Sequence, residues 1–243
     1  MTTILTIIAA AMAGLIKTTF GIGAGVFLTP LLSLIIFPKT AVALMAPMML
    51  ITDITTLWMH RGKWNLKHIY ILLPGVLVGI VAGSYYLAWA STSLTKLTIG
   101  IIAMVFSAYQ IIRIRYPKFF ANKEISTPAG IIISLFAGVS SAIAHSGGII
   151  ITIYLITKNL NKSSFVATLV AILFFSDVLK MITYTKLHLL TQPLLINGLE
   201  LTPVLFLGSW LGSKLINKLS DKQFILYVNI LIFASGIILT ISH

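Results

Sequence analysis

Two short stretches hold the densest polar groups in an otherwise apolar chain: Lys17-Thr18-Thr19-Phe20-Gly21-Ile22-Gly23-Ala24-Gly25 and Ser140-Ser141-Ala142-Ile143-Ala144-His145-Ser146-Gly147-Gly148. Glycine lets the backbone leave helical geometry, so each stretch predicts a break in a helix. A helix that restarts after such a break offers unpaired N–H groups and the positive end of its dipole, an anion site that needs no charged side chain. Around Gly21, Gly23, Gly25, Gly147 and Gly148, the side chains of Lys17 and His145 can add positive charge. Thr18, Thr19, Ser140, Ser141 and Ser146 can donate hydroxyl protons to acceptor oxygens. A plainer reading stands beside this one. Glycines in apolar helices also serve as close-packing points, Lys17 can snorkel to an interface, and a single His can simply bond a carbonyl.

Asp53 and Asp177 lie deep inside apolar runs, where an unpaired carboxylate is costly or protonated. Two roles are open to them: proton coupling, or bonding the exposed backbone of a neighbouring break. Asp177 also has Lys180 one turn on. Enzymatic chemistry is poorly supplied. With no Cys, five acids and five His, mostly in loops, the chain excludes thiol catalysis and offers neither a metal centre nor a general acid/base pair. No cofactor is expected.

The composition rules out soluble classes. Of 243 residues, 58% are hydrophobic and 9% charged, against roughly 45–50% and about 25% in soluble domains. The formal net charge is +12, but the cations sit in short gaps between apolar runs. Lipid headgroups are therefore the expected partner of these cations, and nucleic acid is not.

A spanning helix needs about 20 mostly apolar residues. Such runs cover 4–20, 41–59, 69–89, 94–112, 129–145, 164–182, 194–212 and 224–241, and two shorter pieces, 26–37 and 149–157, follow the glycine breaks. The first run has the small residues of a signal peptide but no basic start, and it is read as retained. The expected fold is an all-α integral membrane protein.

The two breaks belong to a repeat. At an offset of 124 residues, Ala13-Gly14 recurs as Ala137-Gly138, Gly23 as Gly147, Ala43 as Ala167 and Asp53 as Asp177. Beyond a five-residue insertion, Pro74, Gly79, Gly83 and Ser91 match Pro203, Gly208, Gly212 and Ser220. These matches predict a tandem duplication, with a first repeat over 1–115, a linker over 116–128 and a second repeat over 129–243. Each repeat would be a broken or re-entrant helical hairpin plus three transmembrane helices. Gly75, Gly79, Gly83, Gly208 and Gly212 recur every four positions, as close helix packing requires. Trp58, Trp64, Trp89 and Trp210 fit an aromatic belt, and Glu200 fits an interface.

Topology follows from the cations. If both broken segments span, the loops divide nine against seven. If both dip in and return, Arg61, Lys63, Lys67, Arg113, Arg115, Lys118, Lys123, Lys158, Lys162, Lys214, Lys218 and Lys222 share one side. Lys39, Lys96, Lys180 and Lys186 remain on the other, with Lys17 inside. Because cations are retained in the cytoplasm, the second arrangement is favoured, with the linker cytoplasmic and both termini outside. Each half then crosses an odd number of times, so the halves are inverted.

One family shares these features. The pattern Ala13-Gly14, Gly21-Ile22-Gly23-Ala24-Gly25, Pro30-Leu31-Leu32, Ala46-Pro47, Asp53, His60-Arg61-Gly62-Lys63-Trp64 and Pro74 with its glycine ladder resembles the sulfite exporter TauE/SafE family, of the toluene sulfonate uptake permease superfamily. The likeness covers essentially the whole chain, although the second break carries Ala144-His145-Ser146 where the family has glycines. The resemblance implies a bacterial or archaeal plasma-membrane permease for a small anion such as sulfite, a sulfonate or another organosulfur acid. Proton coupling through Asp53 and Asp177 would suit uptake against a negative interior. A membrane-embedded enzyme, or an accessory subunit without transport of its own, is the alternative reading.

Overall fold

The computed structural model describes residues 7, 8, 10, 11, 14, 24–116, 124–215 and 221–242. Among these residues there is no strand. The helices are α1 (Ala24–Ile35), α2 (Pro38–Met59), α3 (Leu66–Trp89), α4 (Thr92–Arg115), α5 (Thr127–Ala144), α6 (Gly147–Leu155), α7 (Lys162–Lys186), α8 (Gln192–Leu215) and α9 (Asp221–Ile241). A single 3-10 turn, Ile156–Lys158, extends α6. Three long helices start two or three residues ahead of their apolar runs because a polar residue caps the first turn. Asn65 accepts from the His68 N–H, Ser91 from that of Leu94, and Asn161 from that of Ser164.

Among the described residues, six helices, α2, α3, α4, α5, α7 and α8, are long and apolar enough to cross a membrane. Their outward faces carry exposed Val78, Tyr85, Val105, Phe136 and Leu207, and Trp89 at the end of α3 is 84% exposed. Surfaces of this kind are stable against hydrocarbon and not against water. The protein is an all-α, multi-pass membrane protein.

α5 and α6 form a hairpin that folds back on itself. Near its open end, Gly130 lies against the ring of Tyr154, and near its tip Gly147 lies against Ala137 and Ser141. Lys158 Nζ closes the open end by donating to the Ile125 carbonyl at 2.6 Å and to Glu124 at 2.9 Å. The chain therefore leaves α6 at the level where it entered α5. The 26–37 and 149–157 pieces of the sequence reading correspond to α1 and to α6 with its 3-10 turn.

The glycine ladders of α3 and α8 pack on α5 and on the described residues Ala11 and Gly14. A Cβ on Gly79 would fall on the Leu135 carbonyl, and one on Gly83 would lie 2.8 Å from that of Val139, so α3 and α5 run parallel with backbones in contact. Gly138 meets the Val76 carbonyl and the Ile80 amide, and in the same manner Gly14 meets the Leu205 carbonyl and the Ser209 amide of α8. Ala11 likewise meets Gly208. Small residues let these axes approach where a larger side chain would hold them apart.

Two further pairs run antiparallel. Lys96 Nζ on α4 reaches the carbonyl of Ser242 just past α9 at 3.1 Å, and Gly100 crosses Gly236 in close contact. The start of α2 (Val42, Ala43, Ala46) clusters with Tyr184 and Met181 late in α7. Its far end, at Leu57, joins the cluster containing Leu169 and Ile172. The order of one short helix followed by three long ones thus occurs twice, and α2 lies head to tail beside its counterpart α7, as α4 does beside α9.

Candidate functional site

The tip of the α5–α6 hairpin is where the chemistry gathers. His145 ends α5 in a left-handed conformation, φ 50°, and its N–H bonds back to the Ser141 carbonyl at 3.0 Å. That conformation is uncommon for a residue with a Cβ, although His is tolerated there more than most. It turns the chain so that Ser146, Gly147 and Gly148 lead directly into α6. The Ser140 and Ser146 hydroxyls bond each other, and the Ser146 hydroxyl also lies 3.0 Å from the Ser140 carbonyl. Ser140, Ser141, His145, Ser146, Gly147 and Gly148 are all buried.

Three elements from outside the hairpin hold this tip. On α7, Lys180 Nζ donates to His145 Nδ1 at 3.0 Å and pairs with Asp177 at 2.5 Å. On α2, the Val42 carbonyl lies 2.9 Å from His145 Nε2. An ammonium can only donate and a carbonyl can only accept, so Nδ1 is the acceptor and Nε2 carries the proton. His145 is therefore the neutral Nε2–H tautomer in this arrangement. Tyr184, also on α7, donates to the Ala142 carbonyl at 2.5 Å, satisfying one of the carbonyls that the end of α5 leaves open.

The third element is α1. Gly25 in its first turn lies against His145, and a Cβ there would fall on the His145 Cβ and within 2.8 Å of its carbonyl oxygen. Thr29 Oγ1 lies 2.7 Å from the Gly25 carbonyl and 3.2 Å from that of Ala144. Val26, Phe106 and Ile149 seal the next layer as one apolar cluster. The structure thus brings Gly25, from the first glycine stretch, against the second stretch. Lys17, Thr18, Thr19, Gly21 and Gly23 lie outside the described residues. Asp53 is buried on α2, and Asp177 is buried on α7 beside Lys180.

One cation is placed differently from the sequence reading. Lys180 is not a loop residue: its side chain is 2% exposed, inside α7 and six residues from the end of that helix. The loop cations on that side are then Lys39, Lys96 and Lys186. The sequence reading paired Lys180 with Asp177 but missed its reach to His145.

The arrangement can hold an acceptor-rich guest, because hydroxyls, a helix start and an ammonium converge within a few residues. It does not present a nucleophile with a base. Among the described residues, no three His, Cys, Asp or Glu side chains are placed to bind a metal ion. An open, almost wholly apolar groove between α2 and α8, lined by Ile51, Leu199, Thr202, Pro203, Phe206 and Leu207, shares no residue with the tip.

The family model described as Sulfite exporter TauE/SafE matches residues 6–239, nearly the full length. The chain belongs to the sulfite exporter TauE/SafE family. This is a family of membrane permeases, in keeping with the six apolar helices long enough to cross a bilayer. Comparisons with curated proteins and with solved structures gave no match. At the second break of this TauE/SafE protein, His145 and Lys180 stand together, both buried.

Proposed function

We propose that this TauE/SafE protein moves a small sulfur oxyanion, such as sulfite or a sulfonate, across the plasma membrane by alternating access. The anion would sit where the two breaks meet, held by the first turns of α1 and α6, by the serine hydroxyls and by the residues of the first stretch, Lys17, Thr18, Thr19, Gly21 and Gly23. The observation that carries this reading is the contact of Gly25, in the first turn of α1, with His145 at the tip of the α5–α6 hairpin. Two halves, 1–115 and 129–243, related by inversion, would rock about that point. The head-to-tail pairing of α4 with α9 and of α2 with α7 supports the inversion. With Lys180 buried, twelve loop cations stand against three, which supports a cytoplasmic linker and outside termini.

The test is flux into liposomes carrying the purified protein, with sulfite, sulfoacetate and thiosulfate as separate probes. Saturable flux of at least one, lost when Gly25 is replaced by Val, is the expected result. No flux of any, with or without a proton gradient, contradicts the reading.

A further inference from the structure

We propose that Lys180 is a cationic ligand of the transported anion, and that Asp177 is its internal placeholder, which must take up a proton before the anion can bind. The inference rests on the permease reading and deepens it, by naming a binding residue on α7 and the coupling that follows from its partner.

The geometry begins with cost. Lys180 and Asp177 are 2% and 5% exposed, and a buried ion pair of this kind is often no more stable than well-packed apolar residues in its place. A structural demand on α7 does not explain it, because the corresponding position on α2, at an offset of 124, is Thr56. What distinguishes Lys180 is where it reaches. Its ammonium touches His145 at 3.0 Å, one residue before Ser146 and two before the start of α6. His145 is neutral there, since it accepts from Lys180 and donates to Val42. Among the described residues, the charges at the tip are therefore one cation, Lys180, and one anion, Asp177.

A second anion entering this space would meet Asp177 as a competitor for the same ammonium. Protonation removes the competition: the proton goes onto a carboxylate oxygen of Asp177, the ion pair dissolves, and the Lys180 N–H donors turn to the oxygens of the guest. One proton and the anion then occupy the site together, and release reverses both steps. The groups facing Asp177 are few. Lys180 and Tyr184 share its helix, and His145 comes from the hairpin. Among titratable groups on the other helices packed against α7, α2 carries Lys39 and Asp53, α3 carries Lys67, His68, Tyr70, Tyr85 and Tyr86, and α6 carries Tyr154, while His60 caps the end of α2. Nearer by, Ser84 and Thr183 bond each other across α3 and α7 at 3.0 Å.

The experiment uses the full-length protein and whichever of sulfoacetate and thiosulfate it binds; both keep their charge over the assay range. Anion addition in weakly buffered solution is expected to draw one proton per anion bound by the native protein, and none by Asp177→Asn. Asp177→Asn should also bind in alkaline buffer as tightly as the native protein does in acid. Lys180→Met should weaken binding by about tenfold or more, the worth of a charge-assisted hydrogen bond. The anion should raise the thermal midpoint of Asp177→Asn more than that of the native protein, because it supplies the missing counterion. Should Asp177→Asn not fold, proton uptake by the native protein decides alone. Anion binding without proton uptake, or undiminished binding by Lys180→Met, overturns the assignment while leaving the permease reading standing. Absence of binding and of flux for every probe overturns the permease reading itself.

Discussion

His145 is tied at both ring nitrogens, to Val42 on one side and Lys180 on the other, and its backbone supports Gly25. Tyr184 adds the bond to Ala142 one turn further along α7. Replacing Tyr184 by Phe removes a donor and leaves a buried carbonyl without a side-chain partner, an expected loss of about 1–2 kcal/mol. Denaturation of the detergent-solubilised protein checks this, and an unchanged midpoint would contradict the role given to Tyr184. At the other end of the hairpin, the hydrogen bond from Lys158 holds the Glu124 carboxyl below the usual carboxylate range. A carboxylate depressed in the folded state contributes stability above its ordinary pKa and loses it as pH falls through the lowered value. The stability difference between the native protein and Glu124→Gln should therefore be small but measurable near neutrality, since Glu124 is exposed, and should vanish in acid. A difference that grows in acid would contradict the pairing. Of these residues, His145 was legible as a polar group in a break, but its partners were not. Val42 contributes only its backbone, 103 positions away. Lys180 lies near the end of an apolar run that stops at Ile182, where a cation reads as a loop residue, whereas the helix continues to Lys186.

At the scale of elements, the glycine ladder of α3 fixes where the hairpin stands. The neighbours of its members differ in kind. A Cβ on Gly79 would meet the Leu135 carbonyl, the Val139 amide and the Gly138 Cα, all backbone, whereas the first atom met from Gly75 is the Ser134 hydroxyl, which can rotate away. Gly79→Ala should therefore destabilise by about 1–3 kcal/mol and Gly75→Ala by less. Thermal unfolding of both variants checks the order, and equal losses would contradict it. Helix positions were readable because apolar length is a strong signal, and the early starts of α3, α4 and α7 follow from caps that hydropathy alone does not weigh. The left-handed residue was less readable. Gly147 is the residue type that usually takes that conformation, but His145 takes it here, and Gly147 instead allows α6 to lie against α5. Spacing could not decide between them, because the choice depends on bonds to α2 and α7.

For the whole molecule, the packing pattern makes each half incomplete without the other. α3 of the first half holds α5 of the second, and α8 of the second half holds Ala11 and Gly14 of the first. In this structure the described tip residues are buried, and on the proposed alternating-access reading one half moves against the other to expose them to either face. The contact of Gly25 with His145 was not legible in the sequence, because it depends on how α1 and the α5–α6 hairpin cross. The most direct test uses the absence of native cysteine. Ser146→Cys, in right-side-out and in inverted vesicles, is treated with a membrane-impermeant maleimide, with Ser126→Cys as the reference for the linker side. The account predicts that position 146 reacts from both faces, and more slowly when a transported sulfonate is present, while position 126 reacts from one face only. Reaction of position 146 from a single face, or from neither, would contradict it.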